Sequence, residues 1–308
     1  MRYGFIGLGN LGRHLALSLK RGGFEVGVHD LDRASAAEVL AAGAEWSESV
    51  ETLARRSQAL ITCLPSPAAT AAVLAEALPA LAPGSTWIEM STNDFAEIEY
   101  WSARAEGLGI DTLACPVTGG VHRAAAGEIT VLVGGAQQVF EAHRAALEAM
   151  GGRVIHLGGI EQAAVTKVVT NMLAFIHLIA AGEALMLCAK GGVDLAKAFH
   201  AIAASSGNSF VHETESQVIL NGSYDIGFTM DLACKDAGFA LEFGRRFGVP
   251  LRLASMMEQI FIEGRARYGG GAWSSMIVKL LEDAVHTPLR APGFPARLGA
   301  EHSSETRA

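Results

Sequence analysis

The chain has 308 residues, half of them hydrophobic, and its 24 Lys and Arg against 32 Asp and Glu give a formal net charge of −8. A chain of this length can bury a sizeable core and is expected to form two domains. The acidic balance, without a long run of either sign, argues against nucleic acid or an anionic membrane as a partner.

The cysteines and apolar runs narrow the class of protein further. Cys63, Cys115, Cys188 and Cys234 are scattered without a C-x-x-C pair, which is typical of reduced thiols and predicts neither a disulfide framework nor a metal site. No signal peptide is evident, and the longest apolar run, Met172–Ala189, is interrupted by a histidine and a glutamate. That run favours a buried helix over a membrane span, so we expect a cytoplasmic protein.

The first thirty residues are typical of a strand, a glycine turn, a helix and a second strand. Tyr3–Ile6 predicts the first strand, Gly22 and Gly23 stop the helix, and Phe24–His29 predicts the second strand, which ends at Asp30. The turn between them reads G-x-G-x-x-G and consists of Gly7, Leu8, Gly9, Asn10, Leu11 and Gly12. In this strand–turn–helix context the motif predicts a dinucleotide-binding site rather than a plain tight turn.

Each residue type in this motif suits a different part of a dinucleotide. Gly7 allows the tight turn, Gly9 allows the backbone to approach a pyrophosphate, and Gly12 allows the helix to pack on its strand. The helix N-terminus offers free N–H groups to the phosphates. Asp30 suits the adenosine ribose of NAD and would repel the 2′-phosphate of NADP, whereas Arg33 could hold that phosphate or simply be solvated.

The rest of the first half alternates between strands and helices, which predicts a mostly parallel sheet covered on both faces. The predicted strands are Ala59–Leu64, Thr86–Met90, Gly109–Leu113, Thr130–Val133 and Val154–His156, and the predicted helices are Ala68–Leu78, Ile98–Glu106 and Gln138–Met150. Leu64, Pro65, Ser91 and Thr92 end two of these strands, at the sheet edge where cofactors bind, although ordinary turn chemistry would explain them too.

From about Gln162 the pattern is helical only. One long helix is predicted to run to about Lys190, followed by helices over Asp194–Ala204, Phe210–Leu220, Met230–Phe247, Leu251–Ala266 and Trp273–Ala284. We therefore predict a Rossmann-type α/β domain over residues 1–161, joined by a long interdomain helix to an all-α domain over residues 162–290. Residues 291–308, rich in proline, glycine and charge, are expected to be a flexible tail.

Six motifs in order along the chain resemble those of the β-hydroxyacid dehydrogenases, whose best-known branch is 3-hydroxyisobutyrate dehydrogenase. They are Gly4–Gly12, Leu64-Pro65, Met90-Ser91-Thr92, Pro116-Val117-Thr118-Gly119-Gly120, Lys167–Asn171 and Lys235-Asp236. The resemblance covers Arg2 to about Ala284. The family usually has Asp-Ala before this Pro-Val pair, whereas Ala114-Cys115 precede Pro116 here. We interpret Cys115 as a packing residue rather than a nucleophile.

The resemblance assigns a substrate anchor to Thr118, Gly119 and Gly120. A hydroxyl and two glycine N–H groups at a loop-to-helix junction suit a carboxylate, although a capped glycine turn has the same composition. His122 and Arg123 follow directly and are candidates to contact the far end of the substrate, or else belong to a solvated helix turn.

Lys167 and Asn171 are four residues apart on the predicted long helix and therefore share one face. A lysine that reaches solvent beside a helical asparagine would explain the pair, but the resemblance implies that Lys167 is the general acid/base and Asn171 its positioning partner. Lys235 corresponds to the family's second lysine, near cofactor and substrate, or else forms a surface pair with its neighbour.

The resemblance implies hydride transfer between NAD and the hydroxyl-bearing carbon of a small β-hydroxy acid, in a cleft between the domains. Lys167 would accept the hydroxyl proton in oxidation and return it in reduction. The pKa of an ordinary lysine is too high for this role at neutral pH, and burial beside the positive oxidised nicotinamide would lower it. The expected partners are a small anionic hydroxy acid or semialdehyde and further copies of the chain, in a homodimer or homotetramer.

Three alternatives remain open at the level of sequence. The first is an NADPH-dependent reductase of a small aldehyde acid such as glyoxylate, succinic semialdehyde or a sulfonated aldehyde. The second is an imine reductase, against which Lys167 argues because such relatives usually lack that lysine. The third is a catalytically silent nucleotide-binding protein.

Overall fold

The structure is a computed structural model that describes residues 1–299, and it divides into two compact units. The first unit is Met1–Lys167 and the second begins at Val168, so the division falls inside one long helix. The predicted domain boundary between residues 161 and 162 stays a prediction.

The first unit contains two sheets. Its strands are β1 Arg2–Ile6, β2 Glu25–His29, β3 Glu45–Trp46, β4 Ala59–Thr62, β5 Thr86–Glu89, β6 Asp111–Ala114, β7 Val117–Thr118, β8 Thr130–Val133 and β9 Arg153–His156. The first six form a parallel sheet in the order β3-β2-β1-β4-β5-β6. The last three form a separate sheet in which β7 is antiparallel to β8 and β8 is parallel to β9.

Helices of the first unit connect these strands. They are α1 Gly12–Arg21, α2 Ala37–Ala41, α3 Val50–Arg55, α4 Pro67–Ala77, α5 Phe95–Glu106, α6 Val121–Ala125 and α7 Gln137–Met150. The predicted strands and longer helices are confirmed within a few residues. The short elements α2, α3, α6, β3 and β7 were not predicted, because two to six residues are too few to show a periodic pattern.

The parallel sheet is buried on both faces, as its continuous apolar strands predict. On β1, Phe5 packs into the core on one face and Ile6 into the core on the other. On β5, Ile88 and Trp87 divide in the same way. The strand order reverses between β1 and β4, and ligands of such sheets bind outside the carboxyl ends of the strands at that reversal.

The second unit is helical. Its helices are α8 Ile160–Lys190, which begins in the first unit, then α9 Leu195–Ala203, α10 Phe210–Asn221, α11 Met230–Phe247, α12 Arg252–Tyr268 and α13 Lys279–Ala284. Asp194 caps α9, accepting a 2.9 Å hydrogen bond from the Lys197 amide. The core is built around Phe175 of α8 and Phe261 of α12, whose ring centroids lie 5.1 Å apart.

Helix α8 is less buried than its apolar sequence predicts. Among the helices within residues 1–299, it is the one long and apolar enough to cross a membrane, and only 33% of its most apolar 18-residue window is buried. Core helices of soluble proteins share this length and composition, so the two properties alone do not assign α8 to a membrane.

Part of the predicted tail is described. The backbone carbonyl of Phe294 accepts a 2.8 Å hydrogen bond from Asn221, and that of Ala296 accepts one of 2.6 Å from Ser223. Arg297 pairs with Asp225 at 2.6 Å. Residues 300–308 of the predicted tail lie outside the described residues, and its flexibility stays a prediction.

Candidate active site

The glycine turn after β1 is tightly packed at Gly7 and Gly12, and it is open at Gly9, where a ligand would lie. Gly7 has φ +96°, and a Cβ there would collide with the backbone carbonyl of Cys63. A Cβ on Gly12 would collide with the carbonyl oxygen of Gly7. Around Gly9, in contrast, no atom lies within 4 Å of the Cβ position, and both Gly9 and Asn10 are exposed. This turn, leading into α1, fits a pyrophosphate held by backbone amides.

Asp30, at the end of β2, is held against this turn. Its Oδ2 accepts a 2.6 Å hydrogen bond from the Leu8 amide, and its Oδ1 accepts one of 3.0 Å from the Asp32 amide. The acid therefore lies beside the turn, where a ribose would be recognised. The Arg33 guanidinium is engaged elsewhere, 3.5 Å from Glu48 and 5.4 Å from the ring centroid of Trp46.

The two predicted strand-end loops are joined through a buried carboxylate. The Leu64 amide donates to Ser91 Oγ at 2.7 Å, and the Ser91 amide donates to Glu89 Oε1 at 2.6 Å. The other carboxylate oxygen, Oε2, accepts from the Thr62 hydroxyl at 2.9 Å. Pro65 is exposed beside this network. These hydrogen bonds connect Glu89 to both loops. Glu89 was not among the predicted site residues, although it directly precedes Met90-Ser91-Thr92.

A small cavity lies at the ends of β5 and β6, against the first part of α8. Its polar lining comes from Glu89, Ser91, Thr92, Asn93 and Lys167, and Pro116 contributes to its wall. Lys167 is only 8% exposed, so its side chain does not extend into bulk solvent. The described residues of the first unit therefore bring the predicted lysine together with Ser91 and Thr92 at the carboxyl edge of the sheet.

The Thr118-Gly119-Gly120 segment links β7 to α6. Gly119 and Gly120 have φ of +125° and +88°, which residues with a side chain rarely adopt. His122 and Arg123 fold back over them, since a Cβ on Gly120 would lie 3.1 Å from the His122 ring and one on Gly119 would lie 3.1 Å from Arg123 Cδ. Burial lowers the pKa of His122, and the charge of Arg123 lowers it further. Both effects favour the uncharged form of the imidazole.

In the second unit, Asn171 and Lys235 share a buried partner, Asp236. Asn171 Nδ2 donates to Asp236 Oδ2 at 2.6 Å, and Lys235 Nζ lies 3.1 Å from Asp236 Oδ1. Lys235 is also 5.2 Å from the ring centroid of Phe239. Because the Asp236 side chain is almost fully buried, this is not a solvated surface pair. Asp236 belongs to the Lys235-Asp236 motif, but its sequence context predicts no separate role for it.

Cys115 is fully buried, and burial raises its pKa, with the Glu89 carboxylate contributing in the same direction. Burial likewise raises the pKa of Cys63 to about 12. Such thiols stay protonated and are poor nucleophiles, which agrees with a packing role for Cys115. Within residues 1–299, no three His, Cys, Asp or Glu side chains are grouped so that they could hold a metal ion.

The glycine turn on a doubly wound sheet defines the class of the first unit as a dinucleotide-binding domain. A family model described as the NAD binding domain of 6-phosphogluconate dehydrogenase matches residues 2–158. A second, described as the NAD-binding domain of NADP-dependent 3-hydroxyisobutyrate dehydrogenase, matches residues 162–281.

Whole proteins match along nearly their full length. A 2-(hydroxymethyl)glutarate dehydrogenase of Eubacterium barkeri is 34% identical over 286 residues, covering 92% of this chain and 95% of the relative. A probable 3-hydroxyisobutyrate dehydrogenase of Dictyostelium discoideum is 31% identical over 268 residues, covering 84% of each. The crystal structure of a 3-hydroxyisobutyrate dehydrogenase from Salmonella typhimurium superposes with a TM-score of 0.84 at 28% identity, covering 91% of this chain and 99% of that one.

The chain belongs to the β-hydroxyacid dehydrogenase family. It is an NAD(P)-dependent hydroxyacid dehydrogenase, and the predicted enzyme class and Rossmann-type fold are confirmed.

Proposed function

We propose that this enzyme oxidises the hydroxyl-bearing carbon of a small β-hydroxy acid of the 3-hydroxyisobutyrate type, with NAD as the preferred cofactor and Lys167 as general acid/base. The observation that carries the proposal is the buried Lys167 amine, which lines one cavity with Ser91, Thr92 and Pro116 at the carboxyl edge of the parallel sheet. The substrate class is supported by the relatives named for 3-hydroxyisobutyrate and 2-(hydroxymethyl)glutarate.

The dinucleotide, when bound, supplies the acceptor for the hydride. The backbone amides of Gly9–Gly12 would hold its pyrophosphate, since the Gly7 and Leu8 amides donate to His29 and Asp30. The residues that flank the crevice at the ends of β4 and β5, Leu64, Pro65, Ser91 and Thr92, would orient the rest of it. Asp30 takes the ribose hydroxyls. A 2′-phosphate would meet the Asp30 carboxylate beside the glycine turn, so NAD is preferred over NADP.

Thr118, Gly119 and Gly120 bind the substrate carboxylate through a hydroxyl and two backbone amides. The positive φ values of both glycines set the direction of those amides. Arg123 supplies a cation for an acidic group at the far end of the substrate, and the ring of His122 supplies a hydrogen bond. Lys235, which the family resemblance places near cofactor and substrate, adds a second cation to the binding of this anion.

Lys167 takes the proton from the substrate hydroxyl as the hydride leaves. Removing that proton within a largely buried site avoids an alkoxide and its large desolvation cost. Asn171, one helical turn further along α8, positions the amine, and Asp236 fixes the orientation of the Asn171 amide. In the reverse direction the lysine returns the proton to the semialdehyde oxygen.

The enzyme works as a homodimer or homotetramer in the cytoplasm. Support for self-association comes from the exposed apolar side chains of α8, where Val169, Leu173 and Leu187 are 40%, 45% and 76% exposed. A soluble monomer rarely leaves such a row uncovered. Light scattering on a sizing column measures the mass, and a monomer at micromolar concentration would contradict this part of the proposal.

The proposal is tested with a panel of acids on purified protein. 3-Hydroxyisobutyrate, 3-hydroxypropanoate and 2-(hydroxymethyl)glutarate are each offered with NAD and with NADP, and the corresponding semialdehydes with the reduced cofactors. We expect reduced-cofactor absorbance to appear with at least one hydroxy acid, with higher kcat/KM for NAD. Reduction of aldehyde acids by NADPH alone would instead favour the aldehyde-reductase alternative.

A further inference from the structure

The side chain of Asn93 is buried, and one of its two polar atoms has no hydrogen-bond partner. It is 6% exposed, and its Oδ1 is buried without a hydrogen-bond partner. Exchanging the oxygen and nitrogen of the amide would only replace an unpaired acceptor with an unpaired donor. A buried polar atom in this state is rare in folded proteins and calls for a physical reason.

The position of Asn93 supplies that reason. It follows Ser91-Thr92 at the end of β5, precedes α5, and lines the same cavity as Lys167. The cavity wall also includes Pro116, two residues before Thr118 in the carboxylate anchor, whereas the glycine turn Gly7–Gly12 contributes nothing to it. The buried Asn93 Oδ1 therefore belongs to the cavity of the proposed acid/base, which is also lined by the segment that leads into the proposed anchor.

We propose that Asn93 is a specificity-determining residue whose amide hydrogen-bonds a second hydroxyl on the substrate, next to the reacting carbon. This inference rests on the proposed function and narrows it, because it selects hydroxy acids that carry an additional hydroxyl over those with a plain hydrocarbon skeleton. A hydroxyl both donates and accepts, so it satisfies either orientation of the amide.

The expected preference for the acid with the extra hydroxyl follows from the free-energy cost of leaving a buried polar atom unpaired. A site built around such a group rejects an analogue that lacks the matching hydroxyl, because binding the analogue excludes water and leaves the amide without a partner. We expect a preference of about 10- to 100-fold in kcat/KM for the substrate with the extra hydroxyl.

The test compares two acids that differ by one hydroxyl, 3-hydroxypropanoate and 2,3-dihydroxypropanoate, with both enantiomers of the latter. The native enzyme is expected to prefer one dihydroxy enantiomer. Asn93→Leu, which keeps the branched shape of the side chain and removes the amide, is expected to bring the ratio of the two kcat/KM values close to one. Ile98→Val changes an apolar residue of the same cavity and is expected to preserve the preference. Native-like melting temperatures establish that both variants are folded.

Two results would overturn the inference. One is a native enzyme that uses both acids equally or prefers 3-hydroxypropanoate. The other is an Asn93→Leu variant that loses activity equally on both acids while its KM for NAD rises, which would place the amide on the cofactor.

A binding measurement separates this inference from the proposed function. Calorimetric titration of the NADH-loaded enzyme with each acid reports affinity without turnover. If the acid panel shows no oxidation, the proposed function fails, yet a dihydroxy preference that disappears in Asn93→Leu still supports the inference. Equal affinity of the native enzyme for the two acids contradicts it.

Discussion

Asn171 donates a 2.6 Å hydrogen bond from Nδ2 to Oδ2 of Asp236, a carboxylate that is 1% exposed. This bond uses one of the two N–H groups of the amide and fixes the side on which Oδ1 lies, the atom of Asn171 that can accept from a protonated amine. Lys235 neutralises the other carboxylate oxygen from 3.1 Å. A buried acid on α11 thus sets the orientation of the residue that follows Lys167 by one helical turn on α8.

The first prediction concerns this buried acid. Asp236→Asn removes the charge and allows the Asn171 amide to rotate, so kcat should fall about 10- to 100-fold, the equivalent of one charge-assisted hydrogen bond. The KM for NAD should stay unchanged. Steady-state kinetics at saturating cofactor provide the measurement. Asp225→Asn, which removes the acid of the Arg297 pair, is the matched control and should keep native kcat; equal rates in the two variants would exclude a role for Asp236 in positioning.

The second prediction distinguishes the roles of Gly9 and Gly12 in the turn. Gly9→Ala adds a methyl group where no atom lies within 4 Å, so the melting temperature of the protein without cofactor should stay native while affinity for NAD falls. Gly12→Ala forces a methyl group against the Gly7 carbonyl and should lower the melting temperature as well. Differential scanning calorimetry and fluorescence titration with NADH distinguish the two effects. Native NADH affinity in Gly9→Ala would mean that the pyrophosphate does not approach this glycine.

The third prediction concerns pH and stability. Glu215 Oε2 is buried without a partner, and burial raises the pKa of this carboxyl from its ordinary 4.5 to about 8. Between these two values the folded state keeps a proton that the unfolded state has lost, so stability contributed by this group falls as pH rises.

Glu215→Gln removes that dependence. The variant should be more stable than the native protein at pH 8, by about 1–3 kcal/mol, with a smaller difference at pH 5. Urea denaturation at the two pH values measures this. Glu51→Gln, at an exposed pair with Arg55 on α3, should leave the pH dependence native. A Glu215→Gln variant that gains nothing between pH 5 and pH 8 would show that the carboxyl ionises normally.

The longer elements of the fold could be predicted because their signals are local. The β1–α1–β2 unit follows from apolar periodicity and from glycines with steric reasons a few residues away, such as Gly12 against Gly7. The second sheet could not be predicted in this way. Its strands β8 and β9 were foreseen, but their separation from the parallel sheet depends on the two-residue strand β7, which is too short to show a pattern.

The residues of the candidate site also differ in whether a local sequence pattern identifies them. Lys167, Thr118 and Asp30 belong to motifs whose spacing identifies them. Asp236 and Asn93 do not, because their significance lies in partners or cavities formed by distant parts of the chain. Asp236 meets Asn171 across 65 positions, and Asn93 lines a cavity with Lys167 although the two are far apart in sequence.

Replacement of Lys167 tests the central claim most directly. Lys167→Ala should lower the rate of hydride transfer in a single turnover by about 10²- to 10⁴-fold, the usual contribution of a general acid/base, while fluorescence titration shows native NADH affinity. Lys190→Ala, near the other end of α8, where the amine donates to the Val285 carbonyl, is the control and should transfer hydride at the native rate. A Lys167→Ala enzyme that transfers hydride as fast as this control would contradict the assignment of Lys167 as the acid/base.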